Sequence, residues 1–496
     1  MASRVSDWFM RRWPSLLSAA LFSAAYPPLN LWPLMFLALA PLLVQLRTAD
    51  SKQAWRIGYL FGLLVFLGQM YWLYDLANHW IHRPFLCLIP WVLTAVLEGL
   101  FFGWVARLIR HCYLRNWLLL IPVAWAGVEV CRSYIPVVAL PWGLVATPLY
   151  RAPLLIQSAH FGTIYLVSAF VVLINVLIAA AFTPSERGSM RSLGGVALVL
   201  LGVSILQFNA TAPSDPIQVT VGQPGIDMAF GNPSTQVGDV ARRVDAISAA
   251  ALADGSRLLI LPEGISKDGN FPPHPQFRLN RRIPMLFGGE RGRNVVYQSA
   301  FSFDGRWHYA DKTRLVIFGE FVPGRDTFPW IAKTFDLPSG DFSAGQNGVQ
   351  AVDVAGVRTG PMLCFEGLFP EVSYLQARNG AKFIAVMCID DWYMGTPAPE
   401  QLKAAAFFRA VECGLPLVRS ASLGTTLALD AHGRLLGELP LKKSGGLKAT
   451  IDLPRAQTLF PLLPVFPIAA FLFALVLPWL PKRGAADVAA TPSEAD

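Results

Sequence analysis

The sequence predicts two different parts: an α-helical membrane domain of about eight transmembrane helices and an α/β domain outside the cytoplasm. The first observation is composition, because 54% of the 496 residues are hydrophobic and only 15% are charged. Soluble proteins carry about a quarter charged residues. The second is distribution, since apolar runs are concentrated in residues 15–209 and 462–480. The third is the intervening segment, 216–452, where short β-branched runs alternate with amphipathic stretches, as in layered α/β domains.

The apolar runs have the length of membrane-spanning helices, which need about 20 residues. Seven runs precede the α/β segment and one follows it, at residues 9–26, 29–46, 57–76, 84–107, 116–133, 163–183, 193–209 and 462–480. The first two flank Pro27 and Pro28 and could instead form a re-entrant hairpin; a cleaved signal peptide is a weaker alternative for the first. The predicted units are a membrane domain over 1–209, an α/β domain over 216–452, a C-terminal transmembrane helix within 453–484 and a disordered tail over 485–496.

The net charge of +8 is distributed in short links between apolar runs, which argues against a nucleic-acid partner. With eight spans, the most cationic links all fall on one side of the membrane. By the positive-inside rule this side is the cytoplasm, so both termini are cytoplasmic and the α/β domain lies outside, which in a bacterium is the periplasm. These cations are Arg4, Arg11, Arg12, Arg47, Lys52, Arg56, Arg107, Arg110, Arg115, Arg187, Arg191, Lys482 and Arg483.

The link over residues 131–162 is apolar, rich in aromatic residues and interrupted by prolines. Broken helices at membrane depth occur mainly where they pack on protein or line a cavity. Two interpretations therefore stay open: packing beneath the α/β domain, or part of an entrance for lipid.

Three strand ends in the α/β segment carry residues suited to acyl transfer. Glu263 follows the strand LLILP, Lys312 follows YAD and Cys364 follows GPML. A thiol is mostly protonated at neutral pH and needs a base, which Glu263 can supply. Lys312, with a backbone N–H next to Cys364, can stabilise the negative charge that develops on the carbonyl oxygen. The six cysteines show no CxxC or zinc spacing, so we predict neither a metal nor a cofactor, and Cys388 and Cys413 are expected to be buried apolar residues.

A Glu…Lys…Cys order on strand ends resembles the nitrilase (carbon–nitrogen hydrolase) superfamily, which implies an αββα sandwich. The motifs LVIFGEFVP and CFE resemble more specifically the bacterial apolipoprotein N-acyltransferase family. So do the apolar segments YPPLNLWPLMFLALAPLL, GYLFGLLVFLGQMYWLY and LIQSAHFGTIYLVSAFVVLIN. The resemblance extends over about residues 15–480 and is more specific than the three-residue pattern, because soluble nitrilases lack the membrane segments.

The resemblance implies that Glu263 is the general base, Lys312 the oxyanion stabiliser and Cys364 the nucleophile that carries a thioester. The implied reaction moves an acyl chain from a phospholipid to the α-amine of a diacylglyceryl-cysteine at the start of a lipoprotein; we expect a monomer embedded in the membrane. The remaining residues that the resemblance points to are the supporting acids Glu320 and Glu366, Phe365 where the family often has tyrosine, and Arg132 and Trp142 at the junction of membrane and α/β domains.

Two departures from the family pattern fall in loops expected to meet the lipid substrates. The segment GQPGIDMAFGNP at 222–233 lacks the tryptophan of the family's loop, and CIDDWYMG at 388–395 stands where SNDAWFG is expected. Within the second segment, Asp391 and Trp392 are candidates for lining the substrate pocket or for capping a turn. The altered loops leave open a membrane-anchored nitrilase-type amidase or an acyltransferase that acts on a different amine. A non-catalytic transporter or lipid-binding protein with a degenerate domain is the second alternative, although it gives no reason to keep Glu263, Lys312 and Cys364 together.

Overall fold

The computed structural model describes residues 2–135, 139–273, 283–337, 340–456 and 464–480. Its helices are α1 (Ala2–Ala25), α2 (Met35–Ala38), α3 (Ala40–Leu46), α4 (Ser51–Gln69), α5 (Trp72–Ile81), α6 (Pro84–Leu114), α7 (Ile121–Tyr134), α8 (Ala159–Ala181), α9 (Met190–Phe208), α10 (Pro233–Ala253), α11 (Pro329–Thr334), α12 (Pro370–Arg378), α13 (Ala398–Cys413) and α14 (Val465–Val476). Its strands are β1 (Ser214–Gln223), β2 (Leu258–Ile260), β3 (Met285–Arg291), β4 (Tyr297–Phe303), β5 (Trp307–Asp311), β6 (Val352–Val354), β7 (Val357–Leu363), β8 (Phe383–Cys388), β9 (Leu417–Ala421), β10 (Thr426–Leu429), β11 (Leu435–Leu439) and β12 (Gly445–Pro454).

Helices α1–α9 and α14 form the helical part. Local sequence sets their ends: Asp50 caps α4 by accepting hydrogen bonds from the backbone N–H groups of Lys52 and Gln53, at 2.9 and 2.8 Å. Small residues allow close packing, since a Cβ on Gly127 of α7 would lie 2.1 Å from the carbonyl oxygen of Ala470 in α14. The C-terminal helix is therefore seated against the N-terminal helices.

By length and apolar composition, three helices in the described part of the chain could cross a membrane: Pro84–Leu114, Ala159–Ala181 and Pro184–Phe208. A fourth span results if the pair Ser51–Gln69 and Trp72–His79, bent by 50°, counts as one. Two shorter apolar helices cover Trp32–Leu46 and Val465–Trp479. Eight spans therefore stay a prediction, and the tail 485–496 lies outside the described residues.

The α/β part contains two six-stranded sheets, ordered β12-β1-β2-β3-β4-β5 and β11-β10-β9-β8-β7-β6. The inner strands β1, β2 and β3 run parallel, as do β7, β8 and β9. Apolar side chains of both sheets form a shared core that includes Val219, Leu258, Leu363 and Met387. Helix α10 packs on the outer face of the first sheet, and α12 and α13 cover that of the second. This is the predicted αββα layering.

Helix α13 joins the two parts of the molecule. One continuous apolar core runs from the membrane-type helices through α12 and α13 to the outer face of the second sheet. Polar contacts reinforce it: Trp142 Nε1 donates to Gln401 Oε1 at 2.5 Å, and Gln157 Nε2 donates to the carbonyl oxygen of His432 at 2.8 Å. The described residues of the 131–162 link thus pack between the helices and α13.

Candidate active site

The three predicted catalytic side chains leave the ends of three strands. Lys312 directly follows β5, Cys364 directly follows β7, and Glu263 lies three residues beyond the end of β2. The polypeptide brings the first and last together, since Lys312 Nζ lies 3.3 Å from Glu263 Oε1. Cys364 is near enough for both charges to act on the pKa of its thiol. All three side chains are at least nine-tenths buried.

Lys312 is a buried ammonium held by two carboxylates. Its Nζ donates to Glu320 Oε1 at 2.6 Å as well as to Glu263, and the residue is 1% exposed. Burial disfavours the charged form, but the negative charges of Glu263 and Glu320 outweigh burial and raise the pKa of Lys312 well above its ordinary value. The site therefore contains a permanent positive charge. Glu320 is itself fixed by the backbone N–H of Val316, at 2.8 Å.

Glu263 has the properties of a base that works near neutral pH. Burial raises the pKa of its carboxyl group to about 7, while Lys312 acts in the opposite direction. Its position depends on Gly288 of β3, because a Cβ there would lie 2.6 Å from the Cα of Glu263. A general base is most effective when its pKa lies near the working pH.

Cys364 sits on a sharp turn from strand to 3₁₀ helix. Its φ of +46° is a left-handed conformation that non-glycine residues rarely adopt. Residues held in this way cluster at functional sites. A hydrogen bond with the Cys388 thiol, together with burial, raises the pKa of Cys364 well above its usual value. Cys364 is thus a neutral thiol, which would need a base to act as a nucleophile.

Glu366 ties the nucleophile turn to the segment that carries Lys312. Its Oε1 accepts from the backbone N–H of Thr313 at 2.7 Å and from the Thr313 hydroxyl at 2.8 Å, and its Oε2 accepts from the N–H of Leu363 at 2.9 Å. Because these donors occupy both oxygens, Glu366 is suited to positioning rather than to proton transfer. Its neighbour Phe365 is half-buried, with its ring 5.1 Å from that of Phe369.

The structure does not bring Arg132 or Trp142 into the Glu–Lys–Cys group. Arg132 is buried between helices, where it pairs with Glu98 at 3.2 Å and donates to the carbonyl oxygen of Leu140 at 3.1 Å. Trp142 lies nearer to the α/β part, through its bond to Gln401 of α13. A substrate-binding role for either residue stays a prediction.

Asp391 and Trp392 occupy the 3₁₀ turn Asp390–Tyr393 that follows β8. Asp391 accepts hydrogen bonds from the Ser422 hydroxyl and from the backbone N–H of Met228, the latter at 2.6 Å, and thereby holds two loops together. Trp392 packs edge-on against Phe230, with ring centroids 5.2 Å apart. Asp391 thus bridges loops and, in this described part of the chain, makes no capping hydrogen bond to its own turn, whereas Trp392 packs beside Phe230; a substrate-binding role for either residue stays a prediction.

Sequence reasoning missed Tyr393 in the same turn. Its ring packs edge-on against Trp72 of α5 at 5.2 Å, and Trp72 in turn lies 5.0 Å from Trp142. Burial raises the pKa of Tyr393 well above its usual value, and the charge of a Cys364 thiolate acts in the same direction. These three rings join the thiol's surroundings to the helical part. The positions of these residues in the sequence, 72, 142 and 393, do not predict that their rings pack together.

The fold and the buried carboxylate–ammonium–thiol group define a carbon–nitrogen hydrolase-type α/β domain built on a helical base. A sequence model described as Carbon-nitrogen hydrolase matches residues 289–459, which include Lys312 and Cys364; Glu263 precedes the matched range. A second model, described as Apolipoprotein N-acyltransferase N-terminal domain, matches residues 18–177.

The whole chain has relatives of the same kind. An apolipoprotein N-acyltransferase of Geobacter metallireducens is 30% identical over 476 residues, which cover 90% of each chain. One of Nitrosomonas europaea is 26% identical over 445 residues, 86% of this chain and 88% of that one. An amidase of the nitrilase superfamily from Nesterenkonia matches 55% of this chain and 100% of its own, with 19% identity and a TM-score of 0.36. The chain belongs to the apolipoprotein N-acyltransferase family.

Proposed function

We propose that this chain moves an acyl chain from a phospholipid, through a thioester on Cys364, to the N-terminal amine of the diacylglyceryl-cysteine of an apolipoprotein. The observation that carries the proposal is the charge arrangement of the site. A permanent ammonium at Lys312 lies 3.3 Å from a carboxylate whose pKa is about 7, beside a neutral thiol. These are the three groups that acyl transfer through a thioester requires.

In the first half of the reaction, the Cys364 sulfur attacks the ester carbonyl carbon of the phospholipid while Glu263 takes the thiol proton. The carbonyl oxygen becomes an oxyanion next to the Lys312 ammonium, which stabilises it. The bond from the carbonyl carbon to the ester oxygen then breaks, and Glu263 returns the proton to the departing alkoxide. A lysophospholipid leaves, and Cys364 holds the acyl group.

In the second half, the neutral α-amine of the diacylated cysteine attacks the thioester carbonyl. Its ordinary pKa, about 7.7–8.0, leaves a useful neutral fraction near physiological pH. Glu263 takes the proton that the amine loses, Lys312 again faces the oxyanion, and the sulfur of Cys364 departs and recovers its proton. The same three side chains serve both steps. The reaction is ping-pong because the lysophospholipid leaves before the amine attacks the acyl-enzyme.

Both substrates are anchored in lipid, which explains a helical base under the α/β domain. We place the base in the bacterial inner membrane with eight spans, and the domain over 216–452 in the periplasm, because the most cationic links then face the cytoplasm. Holding the thiol near the lipid surface converts a rare encounter into a local one.

We assign the acyl-chain path to the aromatic wall formed by Trp72, Trp142 and Tyr393, which leads from α5 toward the thiol. Trp392 extends this wall, while Arg132 and Asp391 hold its supporting elements.

The test uses the full chain in detergent micelles, a phospholipid with a labelled acyl chain and a synthetic diacylated lipopeptide. We expect the protein to become labelled, and hydroxylamine should remove this label. The label should then appear on the triacylated peptide, with unlabelled lysophospholipid as the other product. Cys364→Ala should abolish all three signals, while Cys413→Ala, at a buried thiol on α13, should leave them. A labelled enzyme that never passes its acyl group to the lipopeptide would favour a different amine acceptor. Absence of protein labelling would refute the proposal.

The orientation has a separate test in living cells. A reporter enzyme that is active only outside the cytoplasm, inserted in the exposed turn at Gly305, should be active. The same reporter joined to the C-terminus should be inactive. The reverse pattern would contradict the proposed topology.

A further inference from the structure

A second thiol lies beside the nucleophile. Cys388 is the last residue of β8, and Cys364 follows the neighbouring parallel strand β7. The register pairs Leu363 with Met387, so the next position along both strands brings Cys364 and Cys388 side by side. Neighbouring strands are about 4.8 Å apart. The Cα atoms of disulfide-bonded cysteines are usually about 4.4–6.8 Å apart. The backbone spacing therefore suits a disulfide.

The side chain of Cys388 also reaches the Cys364 sulfur. Leu363 and Met387 face the core between the sheets, whereas Cys388 belongs to the apolar core on the opposite face, beneath α12 and α13. Cys388 is 2% exposed, and its thiol lies within hydrogen-bonding reach of the Cys364 sulfur. Both thiols are free in this structure.

The reactivity of the two thiols differs because of their surroundings. Cys364 adjoins a base, Glu263, and is 9% exposed, so a small electrophile can reach it. Cys388 is packed among apolar side chains, and its thiol lies next to the Cys364 sulfur. This is the relation of an attacking thiol to a resolving thiol in disulfide exchange.

We propose that Cys364 and Cys388 form a dithiol site that low-molecular-weight disulfides oxidise to an intramolecular disulfide, which switches acyl transfer off reversibly. The Cys364 sulfur attacks one sulfur of the small disulfide, whose S–S bond breaks and releases one small thiol. The Cys388 sulfur then attacks the Cys364 sulfur of this mixed disulfide and releases the second. In total, two protein thiols are oxidised, one small disulfide is reduced to two thiols, and the two protein protons end on the released thiols.

The loss of activity rests on the proposed role of Cys364, whereas formation of the disulfide does not. The probe is hydroxyethyl disulfide, which is small and uncharged, applied to the full chain in detergent micelles without lipid substrates. Intact-mass and peptide measurements identify the product, and transfer to the lipopeptide measures activity. We expect a chain lighter by two hydrogens, with the peptides that contain Cys364 and Cys388 linked. Activity should be lost, and dithiothreitol should restore both the mass and the activity.

Two variants separate this outcome from simple thiol modification. Cys388→Ser removes the resolving thiol, so the same treatment should leave one hydroxyethylthio group on Cys364. Cys388→Ala gives the same readout if the serine variant does not fold. Cys413→Ser, at a buried thiol on α13, should behave like the unaltered chain.

Two further outcomes have distinct meanings. A stable hydroxyethylthio adduct on Cys364 of the unaltered chain, with Cys388 still reduced, would overturn the proposed dithiol site. An internal disulfide that leaves acyl transfer intact would support the site but overturn the role of Cys364, and with it the proposed function.

Discussion

Replacing Glu320 by glutamine is expected to shift the pH dependence of thioester formation to lower pH. Glu263 must be a carboxylate to accept the thiol proton, so the rate should rise with pH through a midpoint near 7, the pKa of that carboxyl group. The charge of Glu320 is one of the causes that raise the pKa of Glu263. Removing this charge favours the carboxylate form of Glu263, lowers its pKa and makes the base available at lower pH.

The size of the shift follows from the distances. Glu263 and Glu320 contact the same Lys312 Nζ atom, at 3.3 and 2.6 Å. Their contacting oxygens are therefore no more than about 6 Å apart. At an effective dielectric constant of about 20, two unit charges at that separation interact by about 2.8 kcal/mol, which corresponds to about 2 pKa units. We expect a downward shift of about 1–2 units, since loop relaxation absorbs part of the effect.

The assay is the single-turnover rate of protein labelling by the labelled phospholipid, measured from about pH 4 to about 9, a range that covers both expected midpoints. Glu371→Gln is the matched control, because Glu371 is a partly buried carboxylate paired with Arg314 at 2.8 Å and has no bond to Lys312. Its midpoint should stay near that of the unaltered chain. A midpoint that stays in place or moves upward in Glu320→Gln would refute the electrostatic reasoning, whatever the change in maximal rate.

Three other substitutions test the remaining parts of the site. Lys312→Met should slow thioester formation by about 10²–10³-fold, the usual cost of an oxyanion donor, and single-turnover labelling measures it; a smaller loss than tenfold would contradict that role. Cys364→Gly should have a free energy of unfolding about 1 kcal/mol higher than that of Cys364→Ala, because glycine tolerates the φ of +46°. Thermal unfolding measures the difference, and equal stabilities would argue against backbone strain at this position. Gly288→Ala should lower the labelling rate with little change in lipid affinity, since its Cβ would push on the Glu263 backbone; Gly238→Ala, where nothing lies within 4 Å, is its control.

The strand ends were the most informative part of the sequence. A short buried strand that stops at a charged residue or a thiol predicts where that side chain emerges, and the structure does bring Glu263 and Lys312 into contact. The catalytic roles of these residues stay predictions. Glu320 and Glu366 were predicted only through the family resemblance. Nothing in the local sequence indicates that Glu320 accepts a hydrogen bond from Lys312, or that Glu366 accepts one from Thr313.

The helical part was harder to predict because hydropathy records composition and not the path of the backbone. Hydropathy predicts the run 57–76 as one span, yet it bends by 50° between α4 and α5. The bend places Trp72 against Tyr393, a contact between residues more than three hundred positions apart. Such contacts are set by the docking of α5 on the turn after β8, which no local pattern encodes. Cys388 is similar, since a buried cysteine at a strand end looks like core until the register places it next to Cys364.

The arrangement of charge explains why a buried, costly group of ions is suited to this chemistry. In the proposed mechanism, the negative charge that balances Lys312 lies on Glu320 and Glu263 before attack; after attack, Glu263 is neutral and the charge has moved to the oxyanion. The net charge of the site does not change. A constant net charge is an advantage in a water-poor site, because such surroundings stabilise newly created charge poorly. Lys312 also donates to Glu320 at 2.6 Å, and Glu320 keeps its charge in the proposed step, so the ammonium retains a carboxylate partner when Glu263 becomes neutral.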